Sequence, residues 1–125
     1  MIRWVSYLMM SSGTAFACDA IGEPMVSDEK NAPVLYVKID EVPLAQPFSM
    51  RITLCGEWDV NELRVDATMP AHKHGMNYTP SVSALESNVF EIEGILFHMP
   101  GMWEMRIDLA TSERDVYYTY PIALK

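Results

Sequence analysis

Two short segments of the chain gather the side chains that are best able to bind a soft metal ion. MPAHKHGM (69–76) and HMPGMWEM (98–105) both contain Met-Pro, and together they hold all three histidines and half of the ten methionines. Thioether sulfur is a soft donor that favours Cu(I), whereas imidazole suits copper in either oxidation state and zinc. The two segments therefore predict one shared His/Met copper site, with Cu(I) favoured, if folding brings them together.

Residue spacing within each segment selects the candidate ligands. The first segment has His or Met at every second position from residue 72 to 76, so an extended backbone would point these side chains to one side. In the second, Pro100-Gly101 fits the centre of a type II turn, and the flanking methionines could approach each other. The predicted metal ligands are His72, His74, Met76, His98, Met99 and Met102. For each residue alone, the alternative is a solvated loop position.

Other site chemistries do not fit the sequence. The HExxH spacing of zinc enzymes is absent. Cys55 lies well ahead of His72, so the ligand order of a blue-copper protein is not met either. No nucleophile–histidine motif and no glycine-rich phosphate loop can be recognised. We therefore predict no catalytic residues and a protein that is not an enzyme.

Length and charge narrow the class of protein further. A chain of 125 residues, half of them hydrophobic, predicts one globular domain. The formal net charge of −8 argues against nucleic acid and anionic membrane surfaces as partners.

The N-terminal residues predict export. Residues 1–17 have a basic start, a short apolar run and an Ala-x-Ala end, as in a signal peptide, which implies a periplasmic or secreted protein. Residues 18–32 are polar and without period, which predicts a flexible tether. Cys18 would then begin the mature chain, and it could accept a lipid anchor or form a disulfide with Cys55. Membrane attachment is expected only in the lipidated case.

From residue 33 onward the hydrophobic pattern has a period of two, which is typical of half-buried strands. Strands are predicted at 34–40, 48–54, 63–69, 81–85, 89–97, 103–109 and 117–124. Met50, Met69 and Met105 fall on inward positions, as do Val82 and Ala84. Gly94 interrupts the phase of its strand, which predicts a β-bulge. Seven short antiparallel strands favour an all-β, immunoglobulin-like two-sheet sandwich over residues 33–125, with a small barrel as the alternative.

The same region resembles the YtkA-like domain family, which is related to the FixH-like proteins. The resemblance rests on ATMP followed by AHKHGM, and on FHMPGMWEMRI. The residues that match the family's two motifs are Met69, Pro70, His74, Gly75 and Met76, then Met99, Pro100, Gly101 and Trp103. The resemblance implies a small exported or membrane-anchored β-sandwich, and it implies copper handling or the assembly of copper-containing oxidases.

These observations predict a non-catalytic exported protein for copper delivery, storage or tolerance. Its partner would be an exported protein that donates or accepts copper. The alternative is a metal-free interaction or accessory module of an exported or membrane complex. In that case the Met-Pro-Gly-x-Trp run would serve only as a turn and a core tryptophan.

Overall fold

The computed structural model describes residues 21–125, except for the side chain of His74. The predicted signal peptide and Cys18 lie outside the described residues. Seven longer strands and three two-residue strands follow one another along the chain. They are β1 (Glu23–Pro24), β2 (Val26–Ser27), β3 (Leu35–Lys38), β4 (Phe48–Leu54), β5 (Val60–Met69), β6 (His74–Gly75), β7 (Ser81–Glu86), β8 (Val89–Ile95), β9 (Gly101–Thr111) and β10 (Asp115–Leu124).

The strands form two antiparallel five-stranded sheets. One sheet has the order β1-β3-β4-β8-β7, and the other has the order β2-β10-β9-β5-β6. Without the two-residue strands, these orders are the ABED and CFG sheets of an immunoglobulin constant-type domain. The predicted all-β two-sheet sandwich is confirmed, and its seven predicted strands are the seven longer ones. Between residues 21 and 125, no helix is long and apolar enough to cross a membrane.

Period-two burial builds the core from both sheets. β4 and β9 alternate buried and exposed residues along their length. Met50, Met69 and Met105 are at most 2% exposed, so their predicted assignment to the core is confirmed. The predicted bulge is also present: Phe48 pairs with Ile95 and Met50 with Ile92, which leaves one extra β8 residue at Gly94.

Val82 and Ala84 lie on the inner face of their sheet, as predicted, but they are not buried. All six residues of β7 are exposed, although Val82 pairs with the buried Ile92 and Ala84 with Phe90. The physical reason is the position of β7 at the edge of its sheet. The corresponding edge strand of the other sheet, β6, has only two residues and cannot cover it.

Residues 21–32, within the segment predicted to be a tether, instead close one side of the sandwich. β1 pairs with β3 in one sheet, and β2 pairs with β10 in the other. Between them Met25 is 8% exposed, and its N–H donates to the Leu35 carbonyl at 2.9 Å. The four residues of β1 and β2 are too few to show a period in the sequence.

Cys55, which follows β4, is disulfide-bonded.

Candidate metal site at the two Met-Pro bends

The two Met-Pro segments leave the same end of one sheet. β5 and β9 are antiparallel neighbours, and Thr68 pairs with Glu104 close to the end of β5 and the start of β9. A Cβ built on Gly101 would lie only 2.6 Å from Cε of Met69, so the two segments are in contact. The fold therefore brings the two segments side by side, as predicted, through the pairing of β5 with β9 and the packing of Met69 on Gly101. We call 69–76 the first bend and 97–103 the second bend.

The first bend begins with a tight turn. The His72 N–H donates to the Met69 carbonyl at 3.1 Å, which places Pro70 at the second turn position, where its fixed φ is favoured. Lys73 has a left-handed φ of 52°, and the chain then pairs again with β5. The extended backbone needed to align the three predicted ligands therefore begins only at His74.

The predicted ligands of the first bend differ in accessibility. His72 is exposed in the turn. The backbone of His74 pairs with that of Met69. Met76 follows β6, is half-buried and packs against the hydrophobic core. Among the described side chains of this bend that were predicted as ligands, His72 is exposed and Met76 is half-buried.

The second bend is held by aromatic packing. The Phe97 ring stacks on Trp103 with centroids 4.5 Å apart and 7° between planes. Phe48 contacts the same phenylalanine edge-on at 5.2 Å. The half-buried His98 ring meets Trp103 edge-on at 5.6 Å. These contacts fix the orientation of the His98 imidazole against the core.

The backbone of the second bend is not the predicted turn. The chain bends at Met99 and Pro100, whereas Gly101 already opens β9 with a φ of 134°. A type II turn would need about +80° there. The Met99 carbonyl instead accepts a hydrogen bond from the Trp103 indole N–H at 3.0 Å. The hydrogen bond from Trp103 therefore holds this bend together, instead of the hydrogen bond of a type II turn.

The methionines beside this bend point to different sides. Met99 is half-buried and packs against the core. Met102 alternates with the buried Trp103 and is 53% exposed on the outer face of the sheet. His72 lies in the exposed turn that leads from β5 to β6, at the end of the sheet where β9 begins. This end of the sheet therefore exposes one imidazole and one thioether, each from a different bend.

Acidic residues form no metal-binding cluster in the described part of the chain. No group of three or more His, Cys, Asp or Glu side chains there could hold an ion. Beyond the bends, the outer face of this sheet carries basic and acidic side chains that form ion pairs with each other. Arg106 lies 3.0 Å from Asp108 and 4.1 Å above the Tyr117 ring, and Arg64 lies 2.8 Å from Glu62. Copper binding would therefore depend on the His and Met donors of the bends.

Comparison with known proteins supports the fold. No family model matches the chain, and no curated protein matches it. The structure resembles that of a DUF4785 family protein from Legionella pneumophila, with a TM-score of 0.55 and 18% sequence identity. The match covers 74% of this chain but only 28% of that protein. At this identity the likeness shows a shared sandwich fold alone.

Proposed function

We propose that this protein binds copper, with Cu(I) favoured, and that it does so without catalysis at the end of the sandwich where the two bends meet. Its role would be copper delivery, storage or tolerance outside the cytoplasm, in exchange with a copper-donating or copper-accepting exported protein. One observation carries the proposal: Met69, at the start of one bend, packs directly against Gly101 of the other. Donors more than twenty residues apart in sequence are thereby brought to one end of the fold.

The exposed donors are the first candidates for capture of the ion. His72 and Met102 are open to solvent, so binding to them needs no opening of the core. The pair combines the imidazole and thioether chemistry that suits Cu(I). His74, His98, Met76 and Met99 would complete the donor set from the two bends.

Sequence features outside this geometry support the same proposal. The resemblance to the YtkA-like domain is carried by residues of both bends, and the family is associated with copper handling. The predicted signal peptide at 1–17 is consistent with a periplasmic or secreted site of action. The family assignment and the localisation are part of the proposal.

Competition titration of the purified protein with a Cu(I) chelator, under reducing and anaerobic conditions, tests the proposal. We expect one Cu(I) per chain, and at least a tenfold loss of affinity in His72→Ala or Met102→Ala. Val34→Ala is the matched control, since Val34 is 51% exposed and lies at the opposite end of the sandwich, next to Cys55. Stoichiometric binding that survives His74→Ala with Met76→Ala would remove those two residues from the site. Failure of the wild-type protein to compete for Cu(I) would refute copper binding.

A metal-free interaction or accessory module is the second candidate. The observation in its favour is that Trp103, Phe97 and Gly101 of the second bend all make packing or hydrogen-bond contacts within the fold. A ligand bound only by the folded state must raise the melting temperature. A melting temperature that does not respond to copper, zinc or nickel would favour this candidate.

A further inference from the structure

The sheet edges on the two sides of the sandwich differ in how far other strands cover them. On one side, β1 covers the edge of β3 and β2 covers the edge of β10. On the other side, β6 pairs with the last residues of β5, and the Ala67 N–H donates to the Asp66 carboxylate at 2.8 Å. The Asp66 carboxylate thus satisfies the Ala67 backbone N–H near this edge. β7 is the end strand of its sheet, and no described strand pairs with its outer edge.

β7 carries a register shift between Ala84 and Glu86, but it lacks the charged and proline residues by which proteins protect an edge strand. Natural edges carry lysine, proline or inward-pointing charges that prevent pairing with another chain. SVSALE contains none of these within the strand, and its single charge, Glu86, is the last residue. Val82 is 37% exposed and Leu85 is 51% exposed. Tyr78, in the preceding loop, is 63% exposed and lines the same crevice as Val82.

We propose that β7 pairs antiparallel with β7 of a second copy of this chain, which joins two sheets edge to edge. A twofold axis normal to the sheet and centred on Ser83 places Ser83 opposite itself and Val82 opposite Ala84 of the second copy. Directly opposed residues share a face in an antiparallel pair. One face of the junction then holds only Val82 and Ala84 from both copies. The other face holds only small serines near the axis.

Charge permits this arrangement despite the acidic net charge. Glu91 and Glu93 pair with Ser83 and Ser81, so they lie one strand away from the junction. Across the dimer the two β8 strands are three strand spacings apart, which is about 14 Å. That distance exceeds the Debye length of about 8 Å at physiological ionic strength. Glu91 is also compensated by Arg51 at 3.4 Å.

The properties of the edge favour a second copy over a charged peptide as the occupant. The serine face offers no charge for a basic or acidic strand to pair with, whereas the apolar face matches itself. A stable interface buries about 800 Å² per partner. A single six-residue edge offers less area, so the dimer is weak and depends on concentration.

Sedimentation equilibrium of the purified protein between about 1 μM and 1 mM, a range that spans weak dissociation constants, tests this proposal. We expect the average mass to rise from one chain toward two, and Val82→Lys and Ser83→Lys to remain monomeric. Ser83→Lys would place two ammonium groups opposite each other at the axis. Val34→Lys, at an exposed valine distant from β7, should dimerise like the wild-type protein, and melting curves check that each variant is folded.

Hydrogen exchange supplies a readout that side-chain contacts alone would not change. Amides of residues 81–86 should exchange at least several-fold more slowly at the high concentration than at the low one, and this protection should be lost in Ser83→Lys. A monomer at every concentration overturns the proposal. A dimer that persists in both lysine variants, or that forms without protection of β7, also overturns it.

Discussion

The two Met-Pro bends share a composition and differ in how the fold uses them. The second bend is part of the core. Trp103 is 1% exposed and its indole N–H donates a hydrogen bond to the Met99 carbonyl, while Gly101 leaves room for the Met69 side chain. The first bend is an exposed turn that presents His72 to solvent. Similar residues are therefore packed in the second bend and exposed in the first, and only the exposed bend is open to a ligand from solvent.

This difference assigns complementary roles to the bends. The second bend fixes the end of the sandwich, and the first lies against that fixed end. A soft metal ion would then be bound by donors that face solvent on a rigid support. Substitutions should separate the two roles, with large effects on stability in the second bend and small ones in the first.

Trp103→Ala should have the largest effect on stability. Truncation of a buried tryptophan costs about 3–5 kcal/mol, and this one also loses its stacking on Phe97 and its bond to Met99. Urea unfolding followed by circular dichroism measures the change. A loss below about 1 kcal/mol, the size of a typical surface effect, would show that the second bend is not a structural support.

Gly101→Ala and Gly75→Ala compare the two bends with the same chemical change. At Gly101 the φ of 134° and the 2.6 Å approach of Met69 make a methyl group strained, and we expect a loss of about 2–3 kcal/mol. At Gly75 the nearest atom to an added Cβ is 3.9 Å away, and the change should stay within about 0.5 kcal/mol. Equal losses in urea unfolding would contradict the assignment of different roles.

The sequence was sufficient for much of the fold and less for the site. Period-two patterns located the seven longer strands, and Gly94 marked the bulge, because both signals are local. The exposure of Val82 could not be predicted, since it depends on the short length of β6 in the other sheet. The pairing of residues 23–27 depends on partners far along the chain. At the site, the proximity of the bends followed from shared composition, but the opposite orientations of Met99 and Met102 required the register of β9.

The stability of the bends must be compared at a pH where the rest of the fold does not titrate. Burial raises the pKa of the Tyr118 hydroxyl to about 12, and its O–H donates to the Pro33 carbonyl at 2.5 Å. Because the unfolded tyrosine ionises near pH 10, stability is complete below pH 10 and falls as the pH rises through about 12. The loss should be on the order of 2 kcal/mol.

Tyr118→Phe tests this pH dependence. The variant should lose about 1 kcal/mol near neutral pH, because the Pro33 carbonyl loses its donor, and it should show a shallower alkaline decline. Urea midpoints between pH 7 and 12 provide the measurement. An unchanged alkaline decline in the variant would show that another group, such as Tyr120 beside Glu23, is responsible.

His72→Ala and Met102→Ala should have the smallest effects on stability. Both side chains are exposed, so each change should alter the free energy of unfolding by no more than about 0.5 kcal/mol. The same variants should lose copper affinity, which separates ligation from folding. A large loss of stability in the metal-free protein would instead indicate that these residues support the fold.

The most direct test of a shared copper site is a double-mutant cycle for Cu(I) affinity between His72 and Met102. If one ion contacts both bends, removal of one donor should reduce the effect of removing the other, with a coupling free energy of about 0.5–3 kcal/mol. Chelator competition on the wild-type protein, the two single variants and the double variant gives this coupling. Strictly additive losses, or no loss in either single variant, would contradict the proposal that the two bends hold one ion.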